Sequence, residues 1–244
     1  MLGGGGSAED SRILDQRFAG WVGQGPLLYL PFAGENTNGY SYPEGLNWLR
    51  SVFEPLGVTT FDMETDPEEL VRRGPRVAAG VYMGGGNTYR LLHALRQTGL
   101  QKLLLQLIAD GVPVYGGSAG AIVLGRDIST AERMDVNDPG IDDTHGLDLL
   151  EGHSVWCHYT DDQDRAIAFL VEKHVAPILA LSERGGIMAA GGRLSAIGLE
   201  PVFRFSGRGR KSLVRPGAVV KWSDLEIDVG KEFGPSESWA SPLE

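Results

Sequence analysis

Between residues 27 and 124, short apolar runs alternate with helical patterns, and the runs repeatedly end in glycine. This alternation constrains the fold more than any other feature of the chain. Leu27-Leu28-Tyr29-Leu30-Pro31-Phe32 reads as a buried strand. Tyr42-Pro43-Glu44 then opens a helix carrying Leu46, Leu49, Val52, Phe53 and Leu56 at helical spacing, and Gly57 stops it. Val58–Phe61 is the second expected strand, and Asp66-Pro67-Glu68-Glu69 is a helix start with proline in its first turn. Arg76–Met83 is the third strand and runs into Gly84-Gly85-Gly86-Asn87. Helical patterns follow around Leu91, Leu92 and Leu95, then Leu103, Leu104, Leu107 and Ile108, ending at Gly111. Val112–Tyr115 is the fourth strand, followed by Gly116-Gly117-Ser118-Ala119-Gly120. Strands that alternate with helices at this spacing build a parallel sheet covered on both faces, a three-layer α/β fold. Beyond Glu151 the texture changes. His153–Cys157 reads as a strand, Asp161–His174 as a helix, and Ile178–Leu181, Ile187–Ala190, Arg193–Gly198 and Val202–Phe205 as short strands added antiparallel at the sheet edge.

The ends read differently. Gly3-Gly4-Gly5-Gly6-Ser7 has nothing to bury, so residues 1–20 are expected to be a flexible leader, 21–233 a single catalytic domain and 234–244 a loose tail. No apolar run approaches the ~18–20 residues that span a bilayer. The first thirty residues lack the basic and apolar regions of a secretion signal, and one cysteine makes no internal disulfide. A cytoplasmic location is expected. The net charge of −10 repels phosphate backbones, so neither nucleic acid nor membrane is expected as a partner.

Three features carry chemistry. Gly116-Gly117-Ser118-Ala119-Gly120 is a G-x-S-x-G between a strand and a helix, the context of a nucleophile elbow. The tight turn exposes the Ser118 Oγ and leaves the Ala119 amide, at a helix start, to face a developing oxyanion. Gly84-Gly85-Gly86-Asn87 ends another strand, where loops of an open α/β sheet form the site. Gly85 and Gly86 let the backbone approach a ligand, the Gly86 amide being the natural second oxyanion donor, and Asn87 can cap the next helix while the loop serves the site. Of five histidines, His158 ends a strand and is delivered to the same rim as Ser118, whereas His93 and His174 lie in helical patterns and His145 and His153 in polar loop context. Position leaves the acid open among Asp135, Asp161, Asp162 and Glu183. Strand alternation turns Cys157 away from His158. No H-x-x-x-H, H-E-x-x-H or C-x-x-C occurs, so no metal and no cofactor is expected.

Gly84-Gly85-Gly86-Asn87-Thr88-Tyr89, then Gly117-Ser118-Ala119-Gly120-Ala121, then a strand ending in His158-Tyr159, resemble the peptidase E (aspartyl dipeptidase) and cyanophycinase family of serine peptidases. The resemblance runs from about Leu27 to Phe205. It implies a fold similar to class I glutamine amidotransferases and an order of nucleophile, histidine, acid: Ser118, His158 and Glu183 here, with Asp135 as the alternative acid. It implies a short peptide substrate, and a monomer or homodimer. Aspartyl dipeptidases carry an arginine shortly after the histidine. Here Thr160-Asp161-Asp162-Gln163-Asp164-Arg165 holds three acids and one arginine, so Asp161, Asp162 and Arg165 become candidate substrate contacts and strict Asp-X specificity is not expected. A cyanophycinase-like hydrolase of Asp–Arg polymer and a non-catalytic small-molecule binder on the same fold are the alternatives.

Overall fold

Apolar strands too short to stand alone need neighbours on both sides and helices on both faces, and the first half of the chain supplies both. The computed structural model describes residues 2–34, 41–74, 78–174, 176–207, 210–227 and 232–233. Strands β1 (Leu2–Gly3), β2 (Leu27–Leu30), β3 (Phe61–Met63), β4 (Gly80–Met83) and β5 (Val114–Gly117) lie parallel in the order β1-β5-β4-β2-β3. Successive side chains feed opposite cores. Leu27, Tyr82 and Tyr115 enter one, packed by α1 (Arg12–Val22) and α2 (Tyr42–Phe53) through Leu14, Phe18, Leu49 and Phe53. Leu28, Val81 and Val114 enter the other, packed by α3 (Pro67–Arg73), α4 (Thr88–Gln97), α5 (Leu100–Ala109) and α6 (Ala119–Leu124). The helix starts follow local chemistry: Ser41 and Glu44 form a capping box, and Asp66 and Asn87 cap α3 and α4.

The second half builds two structures. β8 (Gly185–Ala190), β9 (Arg193–Gly198) and β12 (Val219–Lys221) continue the main sheet antiparallel beyond β1. β6 (Ser154–Trp156), β7 (Ile178–Ala180), β10 (Val202–Ser206), β11 (Arg210–Val214) and β13 (Glu232–Phe233) form a separate sheet, ordered β13-β11-β10-β7-β6. α7 (Asp164–His174) covers that sheet with Ile167 and Val171 against Trp156, Ile178 and Phe205, while α8 (Trp222–Ile227) follows β12. The α/β class and the C-terminal antiparallel strands are as the sequence implies. The single sheet edge expected for those strands is corrected to an extension plus a second sheet, because β7 pairs with β6 on one side and β10 on the other rather than with the parallel strands.

The flexible leader is also corrected. Leu2 pairs with Gly116 on one side and Ile187 on the other, so β1 joins the parallel and antiparallel halves. Residues 12–20 lie in α1, with Phe18 fully buried. The glycines serve close packing, not looseness: a Cβ on Gly4 would stand 1.9 Å from the Ser182 carbonyl oxygen, and one on Gly6 2.5 Å from that of Glu183. The expected tail 234–244 lies outside the described residues. Strand bounds also shift, Val58–Phe61 to Phe61–Met63 and Val112–Tyr115 to Val114–Gly117.

Candidate active site

Ser118 sits between two buried elements that leave it one conformation. It joins β5 to α6 with φ 49° and ψ −112°, a region that side-chain-bearing residues rarely enter. Such strain costs on the order of 1–3 kcal/mol and persists only where the surroundings over-determine it. Here they do. A Cβ on Gly116 would lie 2.4 Å from the Gly120 carbonyl oxygen, and one on Gly120 2.3 Å from that of Met83, so both outer glycines of the G-x-S-x-G are sterically required. The Ser118 amide donates to the Gly3 carbonyl at 3.2 Å, tying the turn to β1.

His158 follows β6 and is likewise held at positive φ, 55°. Its ring faces back toward Ser118, and Nε2 lies 3.0 Å from the Ser118 Oγ. Parallel pairing of β6 with β7 brings Glu183 near His158: the Leu181 amide donates to Trp156 and the Tyr159 amide to Leu181, so the residues after the two strands run together. Glu183 Oε1 is 3.4 Å from His158 Nδ1, with the two side chains 58% and 31% exposed. The third neighbour is Gly5, at φ 94°, where a Cβ would stand 2.8 Å from both the His158 ring and the Ser118 Cβ. Sequence reasoning missed it by reading the glycine run as loose.

The model of peptidase family S51 matches residues 1–197. The chain belongs to peptidase family S51. The match begins at residue 1 and so includes the glycine run that lines the site. The chain is 30% identical over 216 residues to a peptidase E of Streptomyces coelicolor, covering 85% of this chain and 84% of that one. It is 27% identical over 203 residues to a peptidase E of Shewanella sp. strain W3-18-1, covering 78% and 82%. A solved peptidase from an acI-B1 Actinobacterium superposes with a TM-score of 0.67 at 18% identity, over 91% of this chain and 95% of that chain, which shows the fold. No helix among the described residues is long and apolar enough to cross a membrane.

The remaining candidates of this S51 peptidase separate clearly. Gly85 packs against Ser118, a Cβ there reaching 3.3 Å from the Ser118 Cβ. Gly86 follows at φ 140°, and Ala119 opens α6. Asn87 caps α4, its Oδ1 accepting from the Arg90 amide, while its Nδ2 donates to the Val136 carbonyl. Asp135 accepts from the Thr88 amide at 2.8 Å, also at the start of α4, and makes no hydrogen bond to His158. Asp161 is tied to Tyr159 and Lys211, Asp162 to Thr160, and Arg165 lies exposed on α7, none of them lining the cavity at Ser118. Cys157 is buried with its thiol pushed up to about 12 by desolvation, which removes it as a nucleophile. His145 pairs with Asp143 in an exposed loop. His153, expected in a polar loop, is buried and accepts from Arg204 Nε at its own Nε2, 2.9 Å away.

A cavity of about 440 Å³ opens beside Ser118 and His158. Gly5, Gly6 and Ser7 contribute to it, and so do four rings: Tyr29, Tyr42, Trp48 and Tyr82. The sequence reading missed all four. Tyr29 and Tyr82 lie inside apolar strands, where only the three-dimensional register shows which way a ring points. No group of three or more His, Cys, Asp or Glu able to hold a metal occurs among the described residues.

Proposed function

We propose that this S51 peptidase hydrolyses short peptides through Ser118, His158 and Glu183. The observation that carries the reading is the 3.0 Å approach of His158 Nε2 to the Ser118 Oγ, made by two residues both held at positive φ. Ser118 Oγ attacks the scissile carbonyl carbon while Nε2 takes its proton. Nδ1–H then points at Glu183, which fixes the tautomer and stabilises the imidazolium. The Gly86 and Ala119 amides receive the oxyanion, with Gly85 packed against the nucleophile. Collapse of the tetrahedral intermediate passes the Nε2 proton to the leaving amine, and water repeats the sequence to release the acid. Each oxyanion donor is worth on the order of 3 kcal/mol of barrier.

A fluorophosphonate probe tests this directly. Wild-type protein is expected to label and Ser118→Ala not to, with kcat for a cleaved peptide falling by about 10⁴–10⁶. A wild type that binds peptides but neither labels nor cleaves them is the binding-protein outcome and sinks the proposal. β-Asp-Arg cleaved in preference to α-peptides is the cyanophycinase-like outcome. Glu183 is exposed and its contact to His158 is long, so Glu183→Gln is expected to lower kcat by only about 10–100-fold, against the ~10⁴ of a buried acid. Loss of activity in Asp135→Asn alone would move the acid role there.

A further inference from the structure

Rings make up much of the cavity's lining, and no Lys, Arg, Asp or Glu stands among the described residues of that lining. Tyr82 from β4 stands at its centre, with Tyr29 of β2 at 6.2 Å and Trp48 of α2 at 6.1 Å between ring centroids. Trp48 is 38% exposed, an indole left half in solvent at the mouth of the cavity. The phenol oxygens lie close to the backbone that carries the chemistry. A Cβ on Gly84 would meet the Tyr29 hydroxyl at 3.5 Å, and one on Gly117, beside Ser118, would meet the Tyr82 hydroxyl at 3.3 Å. Both hydroxyls belong to residues that line the cavity. Burial raises both phenols, which stay neutral across the physiological range.

Charge is absent where a charged side chain would need it. Among the described lining residues there is no Lys, Arg, Asp or Glu. A carboxylate entering this cavity would lose water against ring faces with no lysine or arginine among the described lining residues, and the described carboxylate beside the cavity, Glu183, already faces His158. A flat uncharged ring loses little and packs against Tyr82 and Trp48 in the offset or edge-on arrangements aromatic pairs favour.

We infer that the cleft selects a peptide with a large uncharged side chain, aromatic above all, at the residue next to the scissile bond, and that Trp48 and Tyr29 determine this specificity. The inference rests on Ser118 and His158 being the reacting pair. The test is a matrix of Xaa-Ala and Ala-Xaa dipeptides with Xaa as Phe, Tyr, Leu, Ala, Asp and Arg, run beside fluorophosphonate labelling. The two series show on which side of the bond the ring sits. Phe and Tyr are expected to exceed Ala in kcat/KM by about tenfold or more, and Asp by a larger factor. Trp48→Ala is expected to cost the Phe substrate at least about tenfold more than the Ala substrate, chiefly through KM. Tyr29→Phe keeps the ring and removes one hydroxyl, and is expected to narrow the ratio of Tyr to Phe. A labelled enzyme that prefers Asp or Arg, or a Trp48→Ala loss equal for all substrates, overturns this inference and leaves the serine mechanism standing. A wild type that does not label removes both.

Discussion

A methyl group at position 5 has nowhere to go. Gly5 holds φ 94° and would place a Cβ 2.8 Å from the His158 ring and from the Ser118 Cβ. Gly57, at φ 96°, has nothing within 4 Å of the same position. The two sites therefore separate backbone strain from collision. Gly57→Ala is expected to lose about 1–2 kcal/mol of stability from the left-handed backbone, with kcat unchanged. Gly5→Ala carries the same strain and also pushes His158 off Ser118, so kcat is expected to fall by about 10²-fold or more, since a displacement near 1 Å costs that much. Thermal melts and steady-state rates on the two variants check the pair. Equal activity in both would mean that His158 does not need the Gly5 wall.

At the scale of elements, α4 is started by residues far apart in sequence. Asn87 caps it locally, and Asp135 adds its carboxylate to the Thr88 amide from 47 residues away. Asp135→Ala is expected to lower stability by about 1 kcal/mol, read from a denaturant midpoint, while leaving kcat in place. The contrast marks what could be read from the residues alone. Ser41, Asp66 and Asn87 announce helix starts because their chemistry is completed within three residues. The elbow was legible for the same reason, and the histidine because His158 stands at a strand end. β1 was not, since two residues, Leu2 and Gly3, have no periodicity and gain strand geometry only from β5 and β8. Nor was the second sheet, because β6 and β7 look alike whether they pair with each other or with the parallel strands. Asp161 and Asp162 stand close to His158 in sequence, but the turn Asp161–Gln163 carries Asp161 to Lys211 and leaves Asp162 on Thr160, which sequence proximity alone does not show.

For the molecule as a whole, two buried groups oppose each other in acid. Asp15 is 3% exposed beneath Tyr115 and accepts from Ser11, and burial raises its carboxyl to about 6. Its folded value lies above its unfolded one, so the fold gains from the protonated form and stability falls as pH rises from about 4 to 6. His153 runs the other way: burial and the Arg204 charge lower it to about 4, so its contribution is complete above the ordinary histidine range and is lost as pH falls toward 4. Each difference of about two pH units corresponds to about 3 kcal/mol, so the two slopes offset between pH 4 and 6. Asp15→Asn is expected to melt higher than wild type at pH 7.5 and to expose the His153 slope, its melting temperature dropping steeply between pH 6.5 and 4. A flat profile in that variant would exclude His153 as an acid-labile group.

The position of β1 also sets an order of events. Leu2 is held between Gly116 and Ile187, and the Gly3 carbonyl takes the Ser118 amide. During synthesis the strand made first must therefore wait for two partners made much later. Until β8 has left the ribosome, Gly5 has no fixed place beside the serine and histidine, and Glu183 has only just been added. A nascent chain of this peptidase thus carries Ser118 for a long stretch of translation without its neighbours in place, and Gly5, Ser118, His158 and Glu183 come together only when most of the chain is complete.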